Sequence, residues 1–245
     1  RSTLFPYTTL FRSSIPRAYP EYMKLFNQYG VQYVDIMGWF KEIRDSVTYD
    51  LMTQNGTHWS NIAATYAFDS IMRYMQHIGG APIRPVRIGQ PYYDKTREPD
   101  NDLAQLLNLV VTPGQPPCKY VDVSMADTTR GKPAMVVIGD SFFWTVTYNY
   151  PLDSLFLYTH YWFYNSTVYF DPEHDNTSQL DLRKVLDDAD YVMLNYCSGQ
   201  LYDLGNGFIV DALVKMLYTD EEIQVVRDNI CAEIRSNENW LHNLE

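Results

Sequence analysis

Hydrophobic positions change their spacing several times along this chain, and each change marks an element. Residues 135–138 (Met-Val-Val-Ile) are apolar without a break, the pattern of a strand covered on both faces in a parallel sheet. Gly139 then permits a sharp turn, which sets Asp140 and Ser141 at the carboxyl end of that strand. A helix is expected from near Phe142. Upstream, residues 19–29 read as a helix ending at Gly30, a C-cap glycine. Val31, Tyr33, Val34 and Ile36 predict a strand with Asp35 near its end, and residues 39–46 a short helix. A polar loop, TQNGTHWS (residues 53–60), leads to Ser60, a good N-cap for a helix over 61–77 that Gly79 and Gly80 end.

From 81 to 133 the periodicity fades into a Pro- and Gly-rich stretch. It shows one helix, near 102–109, and a strand near 120–123, and reads as a lid or insertion. After Ser141 the pattern resumes. Strands are expected at 167–170 and 191–194 and helices at 180–186 and 208–217. A last helix is opened by Thr219-Asp-Glu-Glu222, a capping box. Strands alternating with helices predict an α/β protein with a mainly parallel sheet.

Composition adjusts this picture in three ways. Residues 1–13, RSTLFPYTTLFRS, read codon for codon as a translated sequencing adapter and are set aside as a scar. Residues 14–245 are expected to form a single, partial domain with the true N-terminus missing. The formal net charge of −11 becomes −13 without Arg1 and Arg12, which argues against nucleic acid as a partner. Cys118, Cys197 and Cys231 are too widely spaced for a zinc site or a disulfide framework, and they mildly disfavour an oxidising compartment.

A serine at a strand end is a candidate nucleophile, with its own amide and the next helix's N-terminus facing a developing oxyanion. The plain alternative is that Asp140-Ser141 only caps the helix. A nucleophilic serine needs a base within hydrogen-bond reach. His58, in a Gly-Thr-His-Trp-Ser loop ahead of a helix, is the best placed of the five histidines; His77, His160, His174 and His242 read as structural or solvated. Residues 142–170 are unusually aromatic. Aromatic rings stack on sugars, but they also bury large areas as packing. Trp59 and Trp144 are the substrate-binding candidates, each being close in sequence to a proposed catalytic residue.

The His-Trp pair ahead of a helix, followed later by strand-Gly-Asp-Ser-Phe, resembles the AlgX/AlgJ group of alginate O-acetyltransferases in the SGNH (GDSL-type) hydrolase superfamily. Residues 99–103 (PDNDL), 190–194 (DYVML) and 205–208 (GNGF) add to the resemblance. It implies a three-layer α/β/α sandwich, N-terminally truncated here, with Ser141 as nucleophile and His58 as general base. It further implies a polysaccharide acceptor and an acetyl donor supplied by a membrane acyltransferase. No cofactor or metal is called for. The location implied is periplasmic or extracytoplasmic, with an anchor in the missing N-terminus. One departure stands out: the family pattern Asp-x-His orients the imidazole, but Gly56 stands two before His58. The remaining readings are a Ser-His dyad, an amide partner such as Asn55, or an acid from elsewhere such as Asp50 or Asp35. A neutral partner is the expectation. The rival functions are a carbohydrate esterase using the same pair and a non-catalytic polysaccharide-binding assembly protein.

Overall fold

The computed structural model describes residues 18–107, 114 and 116–236; the expectation about residues 1–13 lies outside the described residues. A four-stranded sheet lies at the centre. Its strands are β5 (Ala134–Gly139), β6 (Tyr158–Phe163), β7 (Thr167–Tyr169) and β8 (Tyr191–Asn195), in the order β7-β6-β5-β8. β5 runs parallel to both neighbours, with Val137 beside Tyr161 and Met193, and β7 is antiparallel to β6.

Every residue of β5 is buried, as its unbroken apolar run requires. Met135 and Val137 face one layer, packing with Ala64, Ala67 and Phe68 of α3 (Asn61–His77) and with Phe143 and Val146 of α5 (Phe143–Asn149). Val136 and Ile138 face the other, with Trp162, Leu182 and Val185 of α7 (Leu182–Asp188), and Phe208 of α8 (Phe208–Leu217). Helices on both faces of a mainly parallel sheet make the α/β protein that the pattern predicts, in the α/β/α layering that the resemblance implies. Each such buried side chain contributes roughly 1.5–3 kcal/mol relative to exposure, so β5 is the most firmly held backbone near the site.

Gly139 does its work differently from expectation. A Cβ there would lie 2.6 Å from the Asn195 backbone oxygen, so the glycine permits close approach of β8 rather than a turn. The Asp140 N–H then donates to that same oxygen at 3.1 Å.

Two local expectations fail. Residues 31–35 are not a strand; they lead into α2 (Ile36–Ile43), and Asp35 is its N-cap, accepting from Gly38 N at 2.8 Å. Conversely β6 lies in the aromatic stretch where no strand was expected. Its Tyr161 and Trp162 are essentially inaccessible, 0% and 1% exposed, so these rings are core. The Pro- and Gly-rich region forms two antiparallel pairs, β1 (Val86–Ile88) with β4 (Val123–Met125), and β2 (Tyr92–Asp94) with β3 (Cys118–Tyr120). Between them lies α4 (Asp102–Leu106). The capping box of the last helix, α9 (Asp220–Ser236), is present: Thr219 N donates to Glu222 Oε2 and Glu222 N to Thr219 Oγ1.

Candidate active site

Three polypeptide segments meet at the carboxyl end of β5. The first carries Ser141, in the turn between β5 and α5. Asp140 shapes that turn from both ends: Oδ1 accepts from Phe142 N at 3.0 Å and Oδ2 from Cys197 N at 2.7 Å. Asp140 thus braces the turn ahead of α5, whose N-cap residue is Phe142 and carries no side-chain cap bond.

The second segment is the loop before α3. Ser60 caps that helix, accepting from Ala63 N at 3.1 Å, and its hydroxyl donates to the Asp50 backbone oxygen at 2.5 Å. Trp59 is 6% exposed and its indole N–H donates to the Phe142 backbone oxygen at 2.9 Å. This bond ties the histidine loop to the serine turn. His58 is thereby held over Ser141, with Nε2 at 2.7 Å from Oγ and its ring edge-on to Phe142.

The third segment is the stretch read as a lid. Asp102, the first residue of α4, brings Oδ2 to 2.6 Å from His58 Nδ1. The side chains of both residues are 15% exposed. Asp102 Oδ2 also accepts from Thr57 Oγ1, and Oδ1 accepts from Thr57 N, each at 2.7 Å. A carboxylate is an acceptor, so Nδ1 carries the proton and donates; Nε2 is then left to accept from the Ser141 hydroxyl. The result is a serine–histidine–aspartate relay with every hydrogen bond in the direction that activates the serine.

The neutral-partner expectation is thus corrected, Asn55 included; the acid does come from elsewhere, but it is Asp102 and neither Asp35 nor Asp50. Asp35 caps α2 and accepts from the Tyr19 hydroxyl at 2.6 Å. Asp50 and Asn55 serve through their backbone oxygens, bonding Ser60 Oγ and Ala104 N. The physical reason lies in Gly56. A Cβ there would fall 2.4 Å from Thr53 Oγ1 and 3.2 Å from the backbone oxygens of Pro99 and Asp100. The chain leading to Asp102 occupies the ground an acid at position 56 would need.

That chain is anchored on the start of α3. Thr53 Oγ1 donates to the Asp100 backbone oxygen at 2.6 Å, Asn61 N donates to Asp100 Oδ1 at 3.0 Å, and Asn61 Nδ2 to the Glu98 oxygen at 3.1 Å. Asp100 is 1% exposed, and burial pushes its carboxyl above the usual carboxylate range against these donors.

Of the proposed sugar-stacking residues, Trp59 is a packing residue, since burial leaves it no face for a ligand. Trp144 is half-buried among Tyr161, Phe163, Tyr169 and Phe170 and spends most of its ring on them. The helix N-terminus expected to face an oxyanion is also spent. Phe143 N, Trp144 N and Thr145 N close turns onto the backbone oxygens of Asp140, Ser141 and Phe142.

No protein-family profile matches the sequence, and no curated protein matches it. Among solved structures, the O-acetyltransferase domain of Pseudomonas putida AlgJ overlaps 87% of this chain and 73% of its own, at 10% identity and a TM-score of 0.46. Bacillus cereus PatB1 overlaps 73% of this chain and 68% of its own, at 15% identity and a TM-score of 0.38.

Proposed function

We propose that this protein is a serine-dependent O-acetyltransferase that acetylates an exported polysaccharide. The observation carrying this reading is the relay of Ser141, His58 and Asp102, with contacts of 2.7 and 2.6 Å. Its residues come from three separate parts of the chain, yet their hydrogen bonds run in the one order that makes a nucleophile.

In the first half-reaction Ser141 Oγ attacks the carbonyl carbon of an acetyl donor, and its proton passes to His58 Nε2. Asp102 stabilises the imidazolium. The tetrahedral intermediate collapses, and the departing oxygen takes the proton back from Nε2, leaving acetyl-Ser141. In the second half, His58 takes the proton of an acceptor hydroxyl as its oxygen attacks the acetyl carbon; the carbon–Oγ bond then breaks and Nε2 returns the proton to Ser141 Oγ. The polysaccharide acceptor, the alginate-like specificity, the membrane acyltransferase as donor and the extracytoplasmic location are carried by the sequence resemblance described above.

The test is acetyl transfer from an activated acetyl ester to an oligosaccharide, followed by mass spectrometry of sugar and protein. The expected result is an acetylated sugar, an acetyl group on Ser141, and loss of both in Ser141→Ala. Acetate release with the sugar unmodified would instead establish the esterase. No turnover, with the sugar still bound, would establish the non-catalytic binder.

A further inference from the structure

The carboxylate of Asp102 has little apolar packing to hold it. It opens α4, whose N-cap, Asn101, makes no side-chain cap bond and whose buried side chain is Ala104. An aspartate free to swing to another rotamer would take its oxygens away from His58. Four donors oppose that swing. Oδ2 accepts from His58 Nδ1 at 2.6 Å and from Thr57 Oγ1 at 2.7 Å, and Oδ1 accepts from Thr57 N and Leu103 N, each at 2.7 Å. Leu103 is the next residue along, so its N–H fixes the carboxylate only against its own backbone. Apart from His58 itself, the donors that tie Asp102 to the histidine loop both belong to Thr57, among the described residues.

Thr57 suits that task by its place in the chain. Its loop is closed by a bridge between Met52 and Trp59 and by Ser60 N donating to the Leu51 oxygen at 2.9 Å, and the Trp59 indole bolts it to the serine turn. A residue on this loop keeps its place relative to His58 and Ser141, and so does whatever it grips. The hydroxyl lies 2.7 Å from Asp102 Oδ2 and 3.1 Å from His58 Nδ1. Nδ1 spends its lone pair on its own proton, so the hydroxyl proton goes to the carboxylate. Were it given to Nδ1 instead, the ring proton would sit on Nε2 and the Ser141 hydroxyl would lose its acceptor. The bond from Thr57 to Oδ2 and the tautomer that activates the serine require each other.

We infer that Thr57 is a positioning residue, whose backbone N–H and hydroxyl grip the two oxygens of Asp102 and fix the acid against the His58 ring. This rests on the reading of Ser141, His58 and Asp102 as a relay. Thr57 acts through Asp102 and meets no reacting atom. It is exposed, so its side chain adds little to the core and its replacement should spare the fold. An exposed threonine that matters to the rate and not to stability is what separates this role from loop packing.

Thr57→Val removes the hydroxyl and keeps the branched shape. Stopped-flow acylation by p-nitrophenyl acetate is expected to slow by about tenfold, with KM and melting temperature little changed, because the lost bond is to a charged group that substrate does not touch. Thr57→Ala should read the same if valine disturbs the loop. Thr57→Ser keeps the donor and should recover most of the rate. In an Asp102→Ala background Thr57→Val should add less than about twofold, since its partner is gone, whereas a role in loop structure would cost as much in both backgrounds. Acylation by Thr57→Val within about twofold of the parent overturns the role of Thr57 and leaves the relay standing. So does Thr57→Ser as slow as Thr57→Val, or an undiminished loss in the Asp102→Ala background. If Asp102→Ala acylates like the parent, or Ser141→Ala still acylates, the relay itself falls and the role of Thr57 with it.

Discussion

The two halves of the relay are built from opposite materials. Ser141 hangs from β5, a strand with every residue buried and parallel neighbours on both sides. Asp102 opens a five-residue helix in which Ala104 is the buried side chain; it bonds Thr57, and Asp100 just before it is held by Thr53 and Asn61. Ser141 is positioned by the core and Asp102 by hydrogen bonds. Substitutions in the buried β5 beneath the serine should therefore show up as loss of folding, and those on the acid side as loss of activity in a folded protein.

The sharpest test of this contrast has the largest expected effect. In Asp102→Asn, the Oδ1 position accepts from Thr57 N and Leu103 N, so the amide nitrogen is turned toward His58. Nδ1 must then accept, the ring proton moves to Nε2, and the Ser141 hydroxyl loses its acceptor. Acylation should fall by about 10⁴-fold, as for a triad with its tautomer reversed, with the melting temperature little changed. Asp35→Asn and Asp50→Asn should stay close to the parent in acylation. A large activity loss in either would mean that another acid serves His58.

Gly56→Asp comes next. It restores the family's Asp-x-His spacing, and by sequence logic it should help. The structure predicts harm, because the new Cβ displaces Thr53 Oγ1 and the Pro99–Asp100 backbone. Overpacking of this kind costs about 1–3 kcal/mol, and here the strain falls on the segment carrying Asp102. Activity should drop more steeply than thermal stability. A rise in activity would show that the acid segment yields without consequence.

The smallest effect tests the sheet side. Burial lowers the pKa of His160 from 6.5, opposed by Asp171 3.7 Å away and reinforced by His174. A folded-state pKa below the unfolded one means that the unfolded chain binds the extra proton. Its contribution to stability is thus complete above pH 6.5 and lost as pH falls below it. Urea unfolding at pH 7.5 and 5.5 should show a smaller loss in His160→Asn than in the parent. An equal loss would place the acid sensitivity elsewhere.

Legibility in the sequence follows the same divide. β5, α3 with its Ser60 cap, and the pairing of His58 with Ser141 were readable because each has a local cause: an apolar run, an N-cap, a loop before a helix. β6 was not, because its alternating Tyr-Thr-His-Tyr-Trp-Phe reads equally well as sugar-binding surface, and only the neighbouring strands decide that the rings are core. Val31 to Ile36 has strand-like residues but no partner strand, so its spacing misled. Asp102 lay in plain view in PDNDL, one of the stretches that carried the resemblance. Nothing in the sequence near His58 points to it, because the contact spans 44 positions. A signal did exist: Gly56 has no side chain at the position where the resembled pattern has a carboxylate, and other atoms crowd the place its Cβ would take.

The order of the relay along the chain is histidine, aspartate, serine, whereas the Asp-x-His pattern would place the acid first. Serine hydrolases on unrelated folds reach one geometry with the acid at different places in the chain order, this order among them. The difference has a geometric reading. Serine and histidine must each meet the reacting atoms, so their backbones are confined to the end of one sheet. The aspartate needs only to bring an oxygen to the far side of the ring, and many paths of chain can do that. Of the three roles it is the one that most paths of chain can fill, and an acid that can come from many places leaves sequence comparison with little to match.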